Sequence, residues 1–318
     1  MLIPRLCRLF VSLGLVAIVS ALPAAPEGAP RIGVLLKDRS PGFWVFAEKG
    51  AQQEARTLGI DVMVKAPPSV LDVAAQGRLL AALGAEKLDA LVIAPTNPEA
   101  IEPAVKELAA QGVKIVAVDT PLPDGVAHAF VGADQAAIAE EATKLFLSLA
   151  RDGDEVALLR NNSVDRTVMI REGKLREGLK SRPGLVFYGD IFASSEKDSE
   201  DERALVLLKK YPKVTAVFAS ATRGTLSTIK AVRELGLVGK VKVVGFGTYL
   251  PAEAAKAFED GILFAWVAQQ PKDLGIQGVR TAFALVAGKS VPAVVRPEFM
   301  IVTPDNFRSD EARALLNP

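Results

Sequence analysis

Polar side chains stand directly after several apolar runs of this sequence, and their types and spacing suit the binding of a small polar molecule. Lys37, Asp119 and Gln269 each come immediately after such a run. A carboxylate accepts hydrogen bonds from hydroxyl groups, whereas lysine and glutamine side chains donate them. Two aromatic residues, Phe43 and Trp44, follow soon after Lys37 and could stack on the apolar face of a sugar ring. The combination predicts a binding surface rather than a core.

A regular alternation of apolar runs and helical stretches must position these residues. Strands alternating with helices predict parallel sheets that helices cover on both faces, and ligands then bind beyond the carboxyl ends of the strands. The predicted strands are 32–36, 60–64, 89–94, 113–118, 128–131, 154–159, 185–189, 214–219, 241–246 and 263–268, and the predicted helices include Phe43–Leu58, Pro98–Gln111, Gln135–Ala150, Ser199–Lys210 and Thr222–Leu235.

The two halves of the chain are similar to each other. Gly112–Pro121 and Lys240–Tyr249 are both apolar strands that follow a helix and a glycine and end in a turn. This similarity predicts an α/β fold of two doubly wound lobes rather than one large sheet. The Pro- and Gly-rich segment Pro121–Gly125 is predicted to cross between the lobes.

Length and composition set the broad class. The 318 residues suffice for two domains, half of them are apolar, and the formal net charge is +1. Because there is no basic excess, the composition argues against a nucleic-acid partner.

The first 24 residues are predicted to be a secretory signal peptide. Arg5 and Arg8 precede the apolar run Leu9–Ala21, which is short for a membrane span and is followed by small residues. An uncleaved membrane anchor is the alternative. Cleavage removes two arginines and no acid, so the net charge changes from +1 to −1, and it also removes Cys7, the only cysteine. The mature chain is therefore predicted to have no disulfide and no thiolate metal site.

An enzyme is the rival class, and the sequence argues against it. The only histidine is His128, in a predicted strand, and no cluster of histidine, cysteine and carboxylate residues has metal-ligand spacing. Phosphate-binding loops, nucleophile elbows and zinc-protease motifs do not occur. The segment GFGTYL does not complete a dinucleotide fingerprint. The sequence therefore predicts a binding protein without cofactor or metal.

An ordered set of segments resembles the type I periplasmic sugar-binding proteins, and within them the ribose-binding cluster. The segments run through residues 31–302 and are PGFWVFAEKGAQQEARTLGI, KLDALVIAP, QGVKIVAVDTP, VTAVFAS, VKVVGFGT and AWVAQQPKDLGIQGV. The resemblance implies two Rossmann-like lobes joined by a hinge of three crossings, near 132–134, 269–271 and 296–298. The implied N-terminal lobe comprises 31–132 and 270–297, and the implied C-terminal lobe comprises 133–269 and 298–318.

The same resemblance implies roles for individual residues. Phe43 and Trp44 match the ring-stacking aromatics, and Asp119 matches the aspartate that accepts hydroxyl protons. Arg171 matches the arginine of the second lobe, and Gln269 matches the glutamine beside the hinge. Structural alternatives remain open, because Asp119 could be a cap, one of the two aromatics a core residue, and Arg171 an ordinary helix-surface residue. Asp38, in the first loop, is expected to face solvent.

Some positions depart from the sugar-binding pattern. Ala221 and Gly247 stand where the family has an asparagine or aspartate and an aspartate, respectively. Lys37, Asp119 and Asp165 are similar to the lysine and two aspartates of the autoinducer-2-binding branch, although Lys37 could equally be a solvated loop charge. A cationic set could also favour a ligand with a carboxylate; it comprises Lys37, Arg160, Arg166, Arg171 and Arg223.

The resemblance predicts a monomeric periplasmic solute-binding protein. Its ligand would be a sugar, a polyol or a sugar acid, captured between the lobes and delivered to the membrane permease of an ABC transporter. Two alternatives are delivery of a signal to a membrane sensor kinase and the binding of an autoinducer-2-like compound.

Overall fold

The computed structural model describes residues 28–39, 42–161, 165–193 and 199–316. The predicted signal peptide and Cys7 lie outside these ranges. The elements of the first half are β1 (Ile32–Leu35), α1 (Phe43–Leu58), β2 (Val62–Lys65), α2 (Val73–Gly84), β3 (Ala90–Ile93), α3 (Pro98–Ala110), β4 (Lys114–Val118) and β5 (Ala129–Val131).

The second half begins with a long helix and repeats the alternation. Its elements are α4 (Gln135–Leu149), β6 (Glu155–Arg160), α5 (Arg166–Leu179), β7 (Val186–Phe192), α6 (Glu200–Lys210), β8 (Val214–Ala219), α7 (Thr222–Glu234), β9 (Lys242–Gly247), α8 (Ala252–Glu259), β10 (Leu263–Gln269), α9 (Pro271–Val286), β11 (Val294–Val295), β12 (Phe299–Val302) and α10 (Asp310–Leu316).

The strands form two six-stranded sheets. The first has the order β11-β5-β4-β3-β1-β2 and the second the order β12-β10-β9-β8-β6-β7. All pairs are parallel except the one between β10 and β12, which is antiparallel. The central strands are buried on both faces, as Ile115 and Val217 at 0 % exposure illustrate, and this explains their continuous apolar composition. The predicted fold class, two doubly wound α/β lobes, is confirmed.

Within the described ranges the chain passes three times between the sheets. It does so between β5 and α4, between β10 and α9, and between β11 and β12. The predicted crossover at Pro121–Gly125 is wrong, because this segment joins β4 to β5, which are neighbours in the first sheet. A Pro- and Gly-rich turn marks a reversal of the chain without indicating which sheet the next strand joins.

Helix α9 follows the second sheet in sequence but packs closely on α1 of the first lobe. Glycines permit this approach, because a Cβ at Gly50 would lie 1.9 Å from the carbonyl oxygen of Lys272 and one at Gly275 would lie 2.0 Å from that of Ala47. The contact ties the returning chain firmly to the first lobe. Among the described residues no helix combines the length and the apolar character that a membrane span requires.

Candidate ligand-binding cleft

A cavity of about 490 Å³ lies between the two lobes. Loops that follow strands of both sheets surround it, as expected for parallel α/β sheets. Six of the seven predicted site residues line it, and they are Phe43, Trp44, Asp119, Asp165, Arg171 and Gln269. The seventh, Lys37, is completely buried next to Asp119.

The ammonium group of Lys37 lies at the centre of a polar cluster. Its Nζ donates to Asp119 Oδ2 at 2.7 Å, to Thr120 Oγ1 at 2.7 Å and to Asp165 Oδ1 at 3.3 Å, which uses all three of its donors. Burial by itself lowers the pKa of Lys37, but Asp119 and Asp165 together outweigh it and raise the pKa above the ordinary value of 10.5. Lys37 is therefore a buried, permanently charged group rather than a solvated loop residue.

Asp119 combines a strained backbone with a well-held carboxylate. It follows β4 with φ of 62°, in the left-handed region that aspartate tolerates better than most residues. Its N–H donates to the carbonyl oxygen of Val131 at 2.9 Å, and its Oδ2 accepts from Thr167 Oγ1 at 3.2 Å. Strained residues of this kind cluster at functional sites. This strained residue lines the cleft.

Helix α5 supplies two charged groups from the second lobe. Asp165 caps its N-terminus and accepts from the Thr167 N–H at 3.0 Å. Burial by itself raises the pKa of Asp165, but Lys37 and Arg171 together lower it below the ordinary value of 3.8. The carboxylate therefore stays ionised at neutral pH.

Arg171, in the second turn of α5, is 6 % exposed and bonds only neutral groups. Its Nε and Nη2 donate to Gln135 Oε1 at 3.0 and 2.9 Å, and its Nη1 donates to the carbonyl oxygen of Ser220 at 3.1 Å. The guanidinium lies 4.3 Å from the ring centre of Phe246, and burial lowers its pKa to about 10. Arg171 is thus a fixed, charged donor on the cavity wall and not a helix-surface residue.

The aromatic residues act as both core and cavity wall. Phe43 and Trp44 contact each other edge to face, with ring centres 4.8 Å apart, and Trp44 is 8 % exposed. Both pack on the core of the first lobe and line the cavity. Phe246 and Tyr249 also line the cavity from the second lobe, and neither was among the predicted site residues. Phe246 lies inside a predicted apolar strand, so its context did not distinguish it from a core residue.

Two polar groups on the cavity wall are buried without a partner in the described part of the chain. They are Gln269 Nε2 and Thr248 Oγ1. A buried polar group that lacks a hydrogen bond costs about 1–3 kcal/mol.

The side chain of Trp266 leaves no room for a side chain at Gly247. A Cβ at this position would lie 1.6 Å from Cζ2 and 1.9 Å from Cε2 of Trp266. The indole of Trp266, fully buried on the neighbouring strand β10, therefore fills the space in which a side chain at 247 would stand. The departure from the family pattern at 247 follows from this packing, whereas nothing in the structure explains Ala221.

Two sequence expectations about charges are corrected. Asp38 is partly buried and lines the cavity, so the expectation that it faces solvent is wrong. The cationic set is not a free positive patch, because three of its arginines pair with glutamates of other elements. The pairs are Arg160–Glu172 at 2.7 Å, Arg223–Glu200 at 3.5 Å and Arg166–Glu99. Pairings between different elements depend on the fold and were not predicted from the sequence.

Within the described ranges no group of three or more histidine, cysteine, aspartate or glutamate residues is placed to hold a metal ion. His128 supports the first sheet, since its Nδ1 accepts the N–H of Ile115 at 3.0 Å. Burial lowers its pKa below the ordinary value of 6.5. This histidine has a structural role, because it accepts a backbone hydrogen bond within the first sheet.

Comparison with known proteins decides the family. The model of the family described as periplasmic binding protein domain matches residues 32–290, which is most of the chain. The chain belongs to the periplasmic binding protein family. The predicted resemblance to type I sugar-binding proteins of the ribose cluster is confirmed.

Named relatives span nearly the whole chain. The D-allose-binding periplasmic protein of Escherichia coli K12 is 29 % identical over 298 residues, which cover 91 % of this chain and 94 % of the relative. The ribose import binding protein of the same organism is 28 % identical over 302 residues, which cover 91 % of this chain and 95 % of the relative. A carbohydrate transporter solute-binding protein from Agrobacterium radiobacter, solved in complex with D-arabinose, is 25 % identical and superposes with a TM-score of 0.82. The match covers 91 % of this chain and 99 % of that protein's chain.

Proposed function

We propose that this chain captures a neutral monosaccharide, or a closely related polyol, between its lobes and delivers it to the permease of an ABC transporter. The observation that carries the proposal is the composition of the cleft wall. Aromatic faces at Phe43 and Trp44 lie in one cavity with the hydroxyl acceptors Asp119 and Asp165 and the donor Arg171. The relatives named for D-allose and ribose, and the neighbour solved with D-arabinose, support this ligand class.

The balance of charge in the cleft favours an uncharged ligand. Asp119 and Asp165 are both bonded to Lys37, and Arg171 lies within electrostatic reach of both carboxylates. These four charges sum to zero and the further lining residue Asp38 is acidic, so the cleft offers no excess of positive charge to an anionic ligand. A sugar acid would add an unpaired negative charge at a buried site, which is costly.

Binding works through closure of the lobes. Ligand contacts from both lobes stabilise the closed arrangement relative to an open one, so the ligand shifts the population towards closure. The closed form then presents the edges of both lobes together to the membrane partner. Since no step breaks a covalent bond in the ligand, the sugar should leave the site unchanged.

Isothermal titration calorimetry with a ligand panel tests the proposal. The panel comprises D-allose, D-ribose, D-arabinose, their polyols, the matching sugar acids and an autoinducer-2-like furanosyl compound. We expect one of the neutral sugars or polyols to bind most tightly and NMR of the recovered ligand to show no turnover. Tightest binding of the furanosyl compound, or any turnover, would contradict the proposal.

Localisation and partners follow from the same proposal. Residues 1–24 are proposed to be removed on export to the periplasm, and the mature protein is proposed to be a monomer. Mass spectrometry of the periplasmic fraction should give an N-terminus at Ala25, or at Leu22 if cleavage follows Ala21, and analytical ultracentrifugation should give the monomer mass. Copurification with a permease rather than a sensor kinase would distinguish transport from signalling.

A further inference from the structure

The buried ammonium of Lys37 donates to side chains of both lobes. Lys37 and its partners Asp119 and Thr120 follow strands β1 and β4 of the first sheet. Asp165, which it reaches at 3.3 Å, caps helix α5 of the second lobe. Lys37 is 0 % exposed and Asp165 is 15 % exposed, so this bridge is shielded from solvent. Shielded ion pairs are screened by salt much less than exposed pairs.

Threonine hydroxyls extend the bridge beside Lys37. Thr167, in the first turn of α5, lies with its Oγ1 2.9 Å from Thr120 Oγ1 and donates to Asp119 Oδ2 at 3.2 Å. Both threonines are buried. The lobes are thus joined by a contiguous polar cluster, the Lys37 cluster, which comprises Lys37, Asp119, Thr120, Asp165 and Thr167.

Other contacts across the cleft have a different character. Arg166 pairs with Glu99, but both side chains are more than half exposed, and such pairs contribute little. The rings of Phe46 and Tyr249 lie 5.4 Å apart. Among these contacts, the Lys37 cluster alone combines charge with burial.

We propose that Lys37 is a closure latch and a positioning residue: it joins the lobes through Asp165 and holds the two carboxylates, Asp119 and Asp165, at the cleft wall. All three of its donors bond protein atoms, so it acts on the ligand through these carboxylates and not by contact. It follows that the protein closes part of the time before a ligand arrives, and that the ligand increases an existing closed population.

The distance between the lobes tests the latch without a ligand. Exposed Ala104 on α3 and Ala252 on α8 belong to opposite lobes, and Cys7 is the only native cysteine. Spin labels on the double variant Ala104→Cys, Ala252→Cys, in the mature protein, therefore report the distance by double electron–electron resonance. We expect a short-distance population in the ligand-free protein that falls at least threefold in Lys37→Met.

Two further variants keep the test decisive. Thr167→Val removes the hydroxyl bridge without leaving an unpaired charge, so it should reduce the short-distance population even if Lys37→Met is too unstable to fold. Arg166→Gln, which breaks the exposed pair, should leave the distribution unchanged. An unchanged distribution in both Thr167→Val and any folded Lys37→Met would overturn the latch.

The positioning role has a separate readout in the pH profile of ligand binding. The charged groups that face Lys37 are Asp119 from the first lobe and Asp165 from α5, and Arg171 of α5 interacts with the same two carboxylates. In Lys37→Met the two carboxylates lose their shared cation, so binding should weaken on acidification at a higher pH than it does in the native protein. Identical pH profiles of the two proteins would contradict the positioning role. The pH measurement rests on the proposed sugar-binding function, whereas the distance measurement does not. A failure of the proposed function can therefore be distinguished from a failure of the latch.

Discussion

At the scale of single residues, Asp119 is the residue that we most expect to bind the ligand. Its left-handed backbone, its bond from Lys37 and its place on the cavity wall come together at the end of one strand. Because asparagine tolerates the left-handed region as well as aspartate does, Asp119→Asn changes the charge and leaves the backbone preference unaltered. Alanine would change both.

We predict that Asp119→Asn weakens binding of the native ligand by about ten- to a hundredfold. A charge-assisted hydrogen bond contributes about 1.5–3 kcal/mol, and 1.4 kcal/mol corresponds to a factor of ten. Calorimetry measures the loss, and circular dichroism verifies the fold. Asp124→Ala, in an exposed loop of the same lobe, is the control and should bind normally. Equal losses in both variants would show that Asp119 is only structural.

The lowered pKa of Asp165 gives a prediction for how the free energy of unfolding depends on pH. Its pKa is lowered in the folded state, so its ionised form stabilises the protein above its unfolded pKa, and that contribution disappears as the pH falls through the folded value. The difference in unfolding free energy between the native protein and Asp165→Asn should be constant from pH 5 to 8 and should shrink below about pH 4. Urea denaturation at each pH measures it. A difference that grows in acid would contradict the assignment.

At the scale of elements, periodicity and strand-end position were sufficient to predict most of the fold. Every predicted strand overlaps an observed one. The central strands gave the clearest signal, because strands buried on both faces are continuously apolar. The same rule located the cavity wall, since polar residues that end such strands converge at one edge of the sheet. The edge strands β11 and β12 were not predicted, and the two residues of β11 are too few to give a pattern.

Contacts between distant elements account for what the sequence could not predict. The carboxylate partners of Arg160, Arg166 and Arg223 come from other elements, and so does the indole of Trp266 that excludes a side chain at Gly247. The burial of Lys37 depends on a loop and a helix that lie 82 and 128 residues further along the chain. Such pairings require three-dimensional information or aligned relatives.

The packing of α1 on α9 gives a prediction for stability. In Gly275→Ala the new Cβ would lie 2.0 Å from the Ala47 carbonyl oxygen and 2.7 Å from the Ala51 nitrogen. Because both obstacles are backbone, the helices must separate, and we expect a loss of roughly 2–3 kcal/mol in the free energy of unfolding. Gly77→Ala in α2, where nothing lies within 4 Å, should instead stabilise by about 0.5–1 kcal/mol. Chemical denaturation distinguishes the two, and similar effects would refute the packing argument.

At the scale of the whole molecule, three chain crossings must allow one lobe to move relative to the other. We propose that the segments 132–134, 269–271 and 296–298 form this hinge. Two of them are joined directly, since Arg296 Nη1 donates to the carbonyl oxygen of Gly132 at 2.9 Å. The bond couples the first crossing to the third, so the crossings should bend together rather than independently.

Breaking that bond should loosen the hinge while leaving the binding site intact. In Arg296→Gln we expect a broader distribution of distances between labels at 104 and 252, because one restraint on the crossings is lost. The free energy of unfolding should fall by no more than about 0.5–1.5 kcal/mol, the contribution of a single hydrogen bond. Arg308→Gln is the matched control, because Arg308 pairs with Glu259 at 2.7 Å inside the second lobe. Equal broadening in the two variants, or none in Arg296→Gln, would mean that the crossings bend without this restraint, and closure would then be governed by the cleft contacts alone.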